Sequence, residues 1–162
     1  MKADLIATRQ AIRTGSLHPQ AVAEECLSLA HSSACEHVFM QLTPDVLRHT
    51  AQQSGISSSP LAGLSVSIKD LFDIEGQVSK AGSVVLENRP RAGQDCTAVA
   101  RLRAAGAGLI GRTHMVEFAF SGVGINPHYG TPAAWDAQKN QAAGAPGQPH
   151  ACLLYTSDAA DE

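Results

Sequence analysis

Apolar and polar positions change their period several times along the chain. Between Asp4 and Arg13, Leu5, Ile6 and Ile12 with interspersed alanines make a weak amphipathic helix. A better helix follows around "GSLHPQAVAEECLSLAHSS" (Gly15–Ser33). Val22, Cys26 and Leu29 share one helical face, Ser16 is placed to cap it, and Pro19 suits its first turn. "HVFMQL" (His37–Leu42) predicts a strand. "TPDVLRHTAQQSG" (Thr43–Gly55) predicts a short helix capped by Thr43 and stopped by Gly55. The period then switches to two: Leu64, Val66 and Ile68 alternate with Ser65, Ser67 and Lys69, the pattern of a strand with one apolar face. "DCTAVARLRAAGAGLIG" (Asp95–Gly111) gives a helix on the Val99, Leu102, Arg103 spacing, a stop at Gly106 and a strand at "GLIG". This β–α–β rhythm predicts an α/β layered fold. "HMVEFAFSG" (His114–Gly122) fits a helical turn or a strand equally, and from Ala133 onward the small, polar, Gly- and Pro-bearing sequence reads as loop.

Composition narrows this picture. The chain has 162 residues, 44% of them hydrophobic and only 4% aromatic, with Ala and Gly prominent. That favours close helix–sheet packing over an aromatic binding platform. A net charge of −3 provides no electrostatic footprint for nucleic acid or an anionic membrane. The four cysteines form no CxxC and read as scattered reduced thiols. "MKADLIATRQAIRTG" has no apolar signal region, and no apolar run approaches a membrane span, so the expected location is cytoplasmic. The seven histidines are scattered, and "GLIGRTHM" lacks the glycine spacings of nucleotide loops. No cofactor and no metal is expected.

The last eleven residues, "CLLYTSDAADE" (Cys152–Glu162), resemble the translation of a sequencing-library adapter. Setting aside their three acids leaves twelve acidic and twelve basic groups in residues 1–151, a net charge of zero. The expectation is a chain cut by sequencing from a longer protein. Residues 1–151 would then be the N-terminal part of one domain, with leading helices in 1–57, a core motif region in 58–132 and a loop in 133–151. Such a cut leaves a sheet edge uncovered.

Chemistry concentrates in "PLAGLSVSIKDLFDIEG" (Pro60–Gly76), "AGS" (Ala81–Ser83), "DCTAVARLRAAGAGLIGRTHMVEFAFSGVGINPHYGTP" (Asp95–Pro132) and "WDA". In that order these segments resemble the N-terminal part of the amidase signature family, over about Pro60 to Asp136. The resemblance implies a partial α/β/α sandwich, a mixed sheet flanked by helices and truncated. It implies hydrolysis of carboxamide C–N bonds by a serine, a cis-serine and a lysine, with Lys69 on the family's catalytic lysine. A lysine ammonium in water, with a pKa of about 10.4, makes a poor base. Burial disfavours its charged form and frees the amine to accept a proton. Ala119 and Ser121 would border the substrate's acyl group.

Three departures stand out. "APGQPHA" (Ala145–Ala151) occupies the place of the family's Ser-rich segment, His114 stands where the family often has Asn, and "TPAAWD" lacks an Asn-Pro before Trp135. With neither serine assigned, the chain as it stands is expected to be inactive. Ser67 lies about 6–7 Å from Lys69 along the same strand face. Neither Ser67 nor Ser65 sits at a sharp turn that would expose a nucleophile, so both read as strand-lining. Asp70 and Glu117 read as hydrogen-bonding groups rather than acids or bases. The expected partners are a small amide substrate and a second copy of the chain or amidotransferase subunits. The alternatives are the A-type component of a Glu-tRNA(Gln)/Asp-tRNA(Asn) amidotransferase and, from another class, a non-catalytic binding domain or decayed fragment.

Overall fold

The computed structural model describes residues 4–136 and 141–143. The tail at 152–162 and the segment at 145–151 lie outside the described residues. Among the described residues the α-helices and strands run in the order α1 (Leu5–Arg13), α2 (Pro19–Ala30), β1 (Phe39–Leu42), α3 (Pro44–Gln52), β2 (Ser65–Lys69), α4 (Thr97–Ala104), β3 (Gly108–Thr113), β4 (Ala134–Asp136) and β5 (Gln141–Ala143). Among the described residues no helix is long and apolar enough to cross a membrane, and Cys26, Cys35 and Cys96 are unbridged.

The main sheet has the order β1-β3-β2, with β3 antiparallel to β1 and parallel to β2. It is therefore mixed, as expected. Adjacent residues of β3 point to opposite faces, and each finds its own helical layer. Ile110 packs with Leu47 and Ala51 of α3 and with Ala23 and Leu27 of α2. Leu109 packs with Ile68, Ile74 and Val99 of α4 on the other side. Helices on both faces of a sheet are the α/β/α arrangement. Each fully buried Leu or Ile here contributes about 1.5–3 kcal/mol of hydrophobic free energy. Gly108 lets α3 approach, because a methyl group there would fall on the Leu47 side chain.

Local signals fared unevenly. Gly106 ends α4 with φ +84, as expected. Ser16 does not cap α2: its hydroxyl donates to the Ala11 carbonyl at 3.0 Å, closing the end of α1. The N-cap of α2 is His18, with no side-chain bond. Pro19 at the first helical position removes one donor that a cap would otherwise satisfy. Helix α3 stops at Gln52, before Gly55, whose φ of +78 instead opens the short turn Ile56–Ser58. The loop expected from Ala133 onward contains the antiparallel pair β4–β5. Backbone ladders need no hydrophobic period, so composition misses such a pair.

Thr43 stands at the N-cap of α3, yet its hydroxyl donates to the Leu109 carbonyl at 3.0 Å rather than accepting from the helix. It ties α3 to β3, beside the Thr43 N–H to Ile110 carbonyl bond of 2.8 Å. Thr43→Val keeps the shape and leaves that carbonyl without its side-chain donor. A loss of about 1 kcal/mol is expected, read as a lower urea midpoint with unchanged slope.

Candidate active site

Lys69 ends β2, at the carboxyl ends of the parallel pair β2–β3, the place where α/β sheets hold ligands. Its neighbours alternate: Ile68 is buried, Lys69 exposed and Asp70 buried again. Ser67, on the Lys69 face, is exposed, and no hydrogen bond joins it to Lys69 among the described residues. The burial expected around a lysine base is not found there. The reason is geometric: among the described residues β2 is an edge strand of the sheet. A cleft lined by Leu17, Val22, Cys26, Leu29, Leu64 and Ser65 lies at the opposite end of β2.

Two turns are fastened beside the end of β2. The Asp70 carbonyl accepts from the Ala81 N–H at 2.9 Å, and the Ala81 carbonyl accepts from the Phe118 N–H at 2.9 Å. These bonds set "AGS" beside Asp70, the residue after Lys69, and the turn Glu117–Ala119 against Ala81. Ala119 (φ 56) and Ser121 are exposed on this rim, with the Ser121 hydroxyl accepting from the Val123 N–H at 3.1 Å. The undecided "HMVEFAFSG" is thus a turn with left-handed residues at Phe118 and Ala119, backbone that L-residues rarely adopt. Glu117 is a hydrogen-bonding group, accepting from the Ser83 hydroxyl at 2.5 Å.

Sequence reasoning missed the groups that organise this rim. Asn126, 1% exposed, donates to the carbonyls of Gly82 (2.7 Å) and Met115 (2.9 Å). Its oxygen accepts from the N–H groups of His128 and Tyr129. All four hydrogen-bonding valences of the amide are used. The Asn-Pro pair in "GINPHYG" was the available signal. Tyr129 donates to Glu87 at 2.6 Å, and the Lys80 ammonium sits 3.6 Å from that carboxylate and 5.4 Å from the Tyr129 ring centre. Burial, then the Glu87 hydrogen bond, raises the Tyr129 hydroxyl well above the usual phenol range. Chiefly through the Tyr129 bond, the Glu87 carboxyl is lowered. Among the described residues no three His, Cys, Asp or Glu side chains gather as metal ligands.

His114 is buried next to the rim, with Nε2 3.3 Å from the Gly124 carbonyl and Nδ1 without a partner among the described residues. Desolvation lowers its pKa from 6.5, the Gly124 bond opposes this, and His37 adds to the lowering. A depressed histidine makes the unfolded state the better proton binder. Stability is therefore full above pH 6.5 and falls as acid pushes the pH down toward the folded value. Urea midpoints should decline with pH below 6.5, and His114→Asn should flatten that slope while leaving the slope above it alone.

A family model described as Amidase matches residues 21–145. The chain is 49% identical over 71 residues to AtzE, a component of the 1-carboxybiuret hydrolase of Pseudomonas sp. (strain ADP), covering 44% of this chain and 16% of that one. It is 31% identical over 146 residues to the A component of the glutamyl-tRNA(Gln) amidotransferase of Jannaschia sp. (strain CCS1), covering 86% and 29%. Among solved structures, an amidase crystal structure aligns with TM-score 0.70 and 30% identity over 81% of this chain and 31% of that chain. A structure of a vestigial protein complex bearing on the origins of an s-triazine catabolic enzyme aligns with TM-score 0.75 and 31% identity, covering 85% and 31%. The chain thus spans less than a third of the length of these relatives. Matched over most of its own length by the family model and carrying the α/β/α core, the chain belongs to the amidase signature family.

Proposed function

We propose that this chain is part of a carboxamide hydrolase in which Lys69 is the general base. The observation that carries the reading is the placement of Lys69 at an exposed strand end, flanked by the two turns that also present Ala119 and Ser121. In the reaction the neutral amine draws a proton, through a bridging serine, from the nucleophilic serine, whose oxygen attacks the amide carbon. Backbone N–H groups steady the resulting oxyanion. The proton then passes to the leaving nitrogen as the C–N bond breaks, and water releases the acyl group as a carboxylic acid. Both serines come from sequence not assigned within residues 1–151. Lys69 is exposed in this chain, so the base role requires the segment carrying the serines to bury it.

Ammonia release from small primary amides by the whole protein tests this. Turnover unaffected by Lys69→Met would overturn the base assignment. The 162-residue chain alone is expected to be inactive; turnover by it that Lys69→Ala abolishes would place both serines inside it. A second reading, the A-type component of a tRNA-dependent amidotransferase working in the cytoplasm with partner subunits, is favoured by one observation. Relatives of that description align over 78–88% of this chain at 30–34% identity. Glutamine-dependent amidation of a mischarged tRNA by the co-purified complex would select it over a free-standing amidase.

A further inference from the structure

The residue after Lys69 belongs to a buried ion pair. Asp70 and Arg112 are each 1% exposed, with Arg112 Nε donating to Asp70 Oδ1 at 2.7 Å. Asp70 Oδ2 accepts from the Gly82 N–H at 3.0 Å, and the Asp70 carbonyl holds Ala81. Arg112 Nη2 donates to the Phe72 carbonyl at 2.8 Å and to the Ser79 hydroxyl at 2.9 Å. One guanidinium therefore grips both ends of the loop that leaves β2 and returns at Ala81. Ala81 and Gly82 have φ of +50 and +66, and a methyl group on Gly82 would lie 2.7 Å from the Met115 carbonyl. Glycine adopts a positive φ freely, but Ala81 is held in a region that L-residues rarely occupy, which requires surroundings that over-determine it. Buried ion pairs seldom outdo a well-packed apolar pair in stability, so stability alone is a poor account of this one.

We propose that Asp70 and Arg112 form a positioning pair for the amide-cleaving site: they fix the end of β2, and with it Lys69, against the Ala81–Gly82 backbone and the turn behind it. This rests on the proposed role of Lys69. Neither residue touches substrate; the pair acts through Lys69 and through the rim.

Arg112→Lys keeps the charge but replaces a planar fork of donors with one ammonium, which cannot reproduce three directed bonds. In the whole protein, amide hydrogen exchange at Ala81, Gly82 and Phe118 should quicken by about tenfold, with Leu109 and Ile110 in β3 changed by less than about threefold. On the same sample kcat should fall about 100-fold, the scale of an ångström's misplacement, with KM within about threefold. Uniform acceleration of exchange, unchanged rim exchange, or an unchanged kcat would each overturn the proposal. If Arg112→Lys does not fold, the neutral pair Asp70→Asn with Arg112→Gln takes its place under the same criteria. Failure of both to fold would make the pair a plain structural element and also overturn it. Should Lys69→Met retain activity while rim exchange responds as expected, the role of Lys69 fails and the mechanical coupling stands.

Discussion

Lys69→Met is expected to lower amide turnover by the whole protein at neutral pH about 1,000-fold or more, with the fold intact. The size follows from the work proposed for this one group, to accept the nucleophile's proton and return it to the leaving nitrogen, because each general acid–base step is worth about 100- to 10,000-fold. The intact fold follows from position. Lys69 is exposed at the end of an edge strand, while the apolar contacts of β2 are made by Val66 and Ile68. Thermal midpoints should therefore move little while activity disappears. Lys69→Arg should be equally inactive, because a guanidinium holds its proton at any working pH. A substitution that removed charge alone would be rescued by arginine. Substantial turnover in the arginine variant would show that Lys69 binds an anionic group instead of moving a proton.

Gly111→Ala should give the largest loss of stability, about 3 kcal/mol or more, seen as a collapse of the urea midpoint. A methyl group there would fall on the Gln41 carbonyl and come within 3.0 Å of the Leu42 Cα. Both are backbone of β1, paired to β3 at Gly111↔Leu42. A side chain can rotate out of the way, but a paired strand cannot shift without breaking its ladder. The cost therefore exceeds ordinary overpacking of about 1–3 kcal/mol. Gly93→Ala is the matched control, since a methyl group there meets nothing within 4 Å among the described residues. It should change stability by less than about 0.5 kcal/mol. Similar losses in the two variants would mean that glycine flexibility, and not the approach of β1, is what matters at position 111.

How far such features were readable depends on the range of the interaction behind them. The β2 alternation was plain, because side-chain period is a property of consecutive residues. Pro19 and Gly106 were equally legible, since a fixed φ and a positive φ are intrinsic to those residue types. Ser16 and Thr43 misled for the converse reason. A hydroxyl takes the best acceptor in reach, and those acceptors were Ala11 in the preceding helix and Leu109 in a distant strand. Asp70 was identified correctly as a hydrogen-bonding group, but its partner lies 42 positions away on β3. A charge inside "GLIGRT" was the visible hint; nothing local says what compensates it.

The sequence by itself determined the α/β rhythm and the family, and it singled out Lys69 as the residue for which we propose the base role. These rest on local periods and on an ordered set of motifs, both carried by the linear chain. Only the tertiary structure decided that Lys69 stands exposed on an edge of the described sheet, that two left-handed turns are fastened in series to the residue after it, and that Asp70 and Arg112 are paired and buried at that corner. Those are outcomes of competition among donors and acceptors brought together by folding. The winner is set by three-dimensional proximity and burial, which no window of neighbouring residues contains.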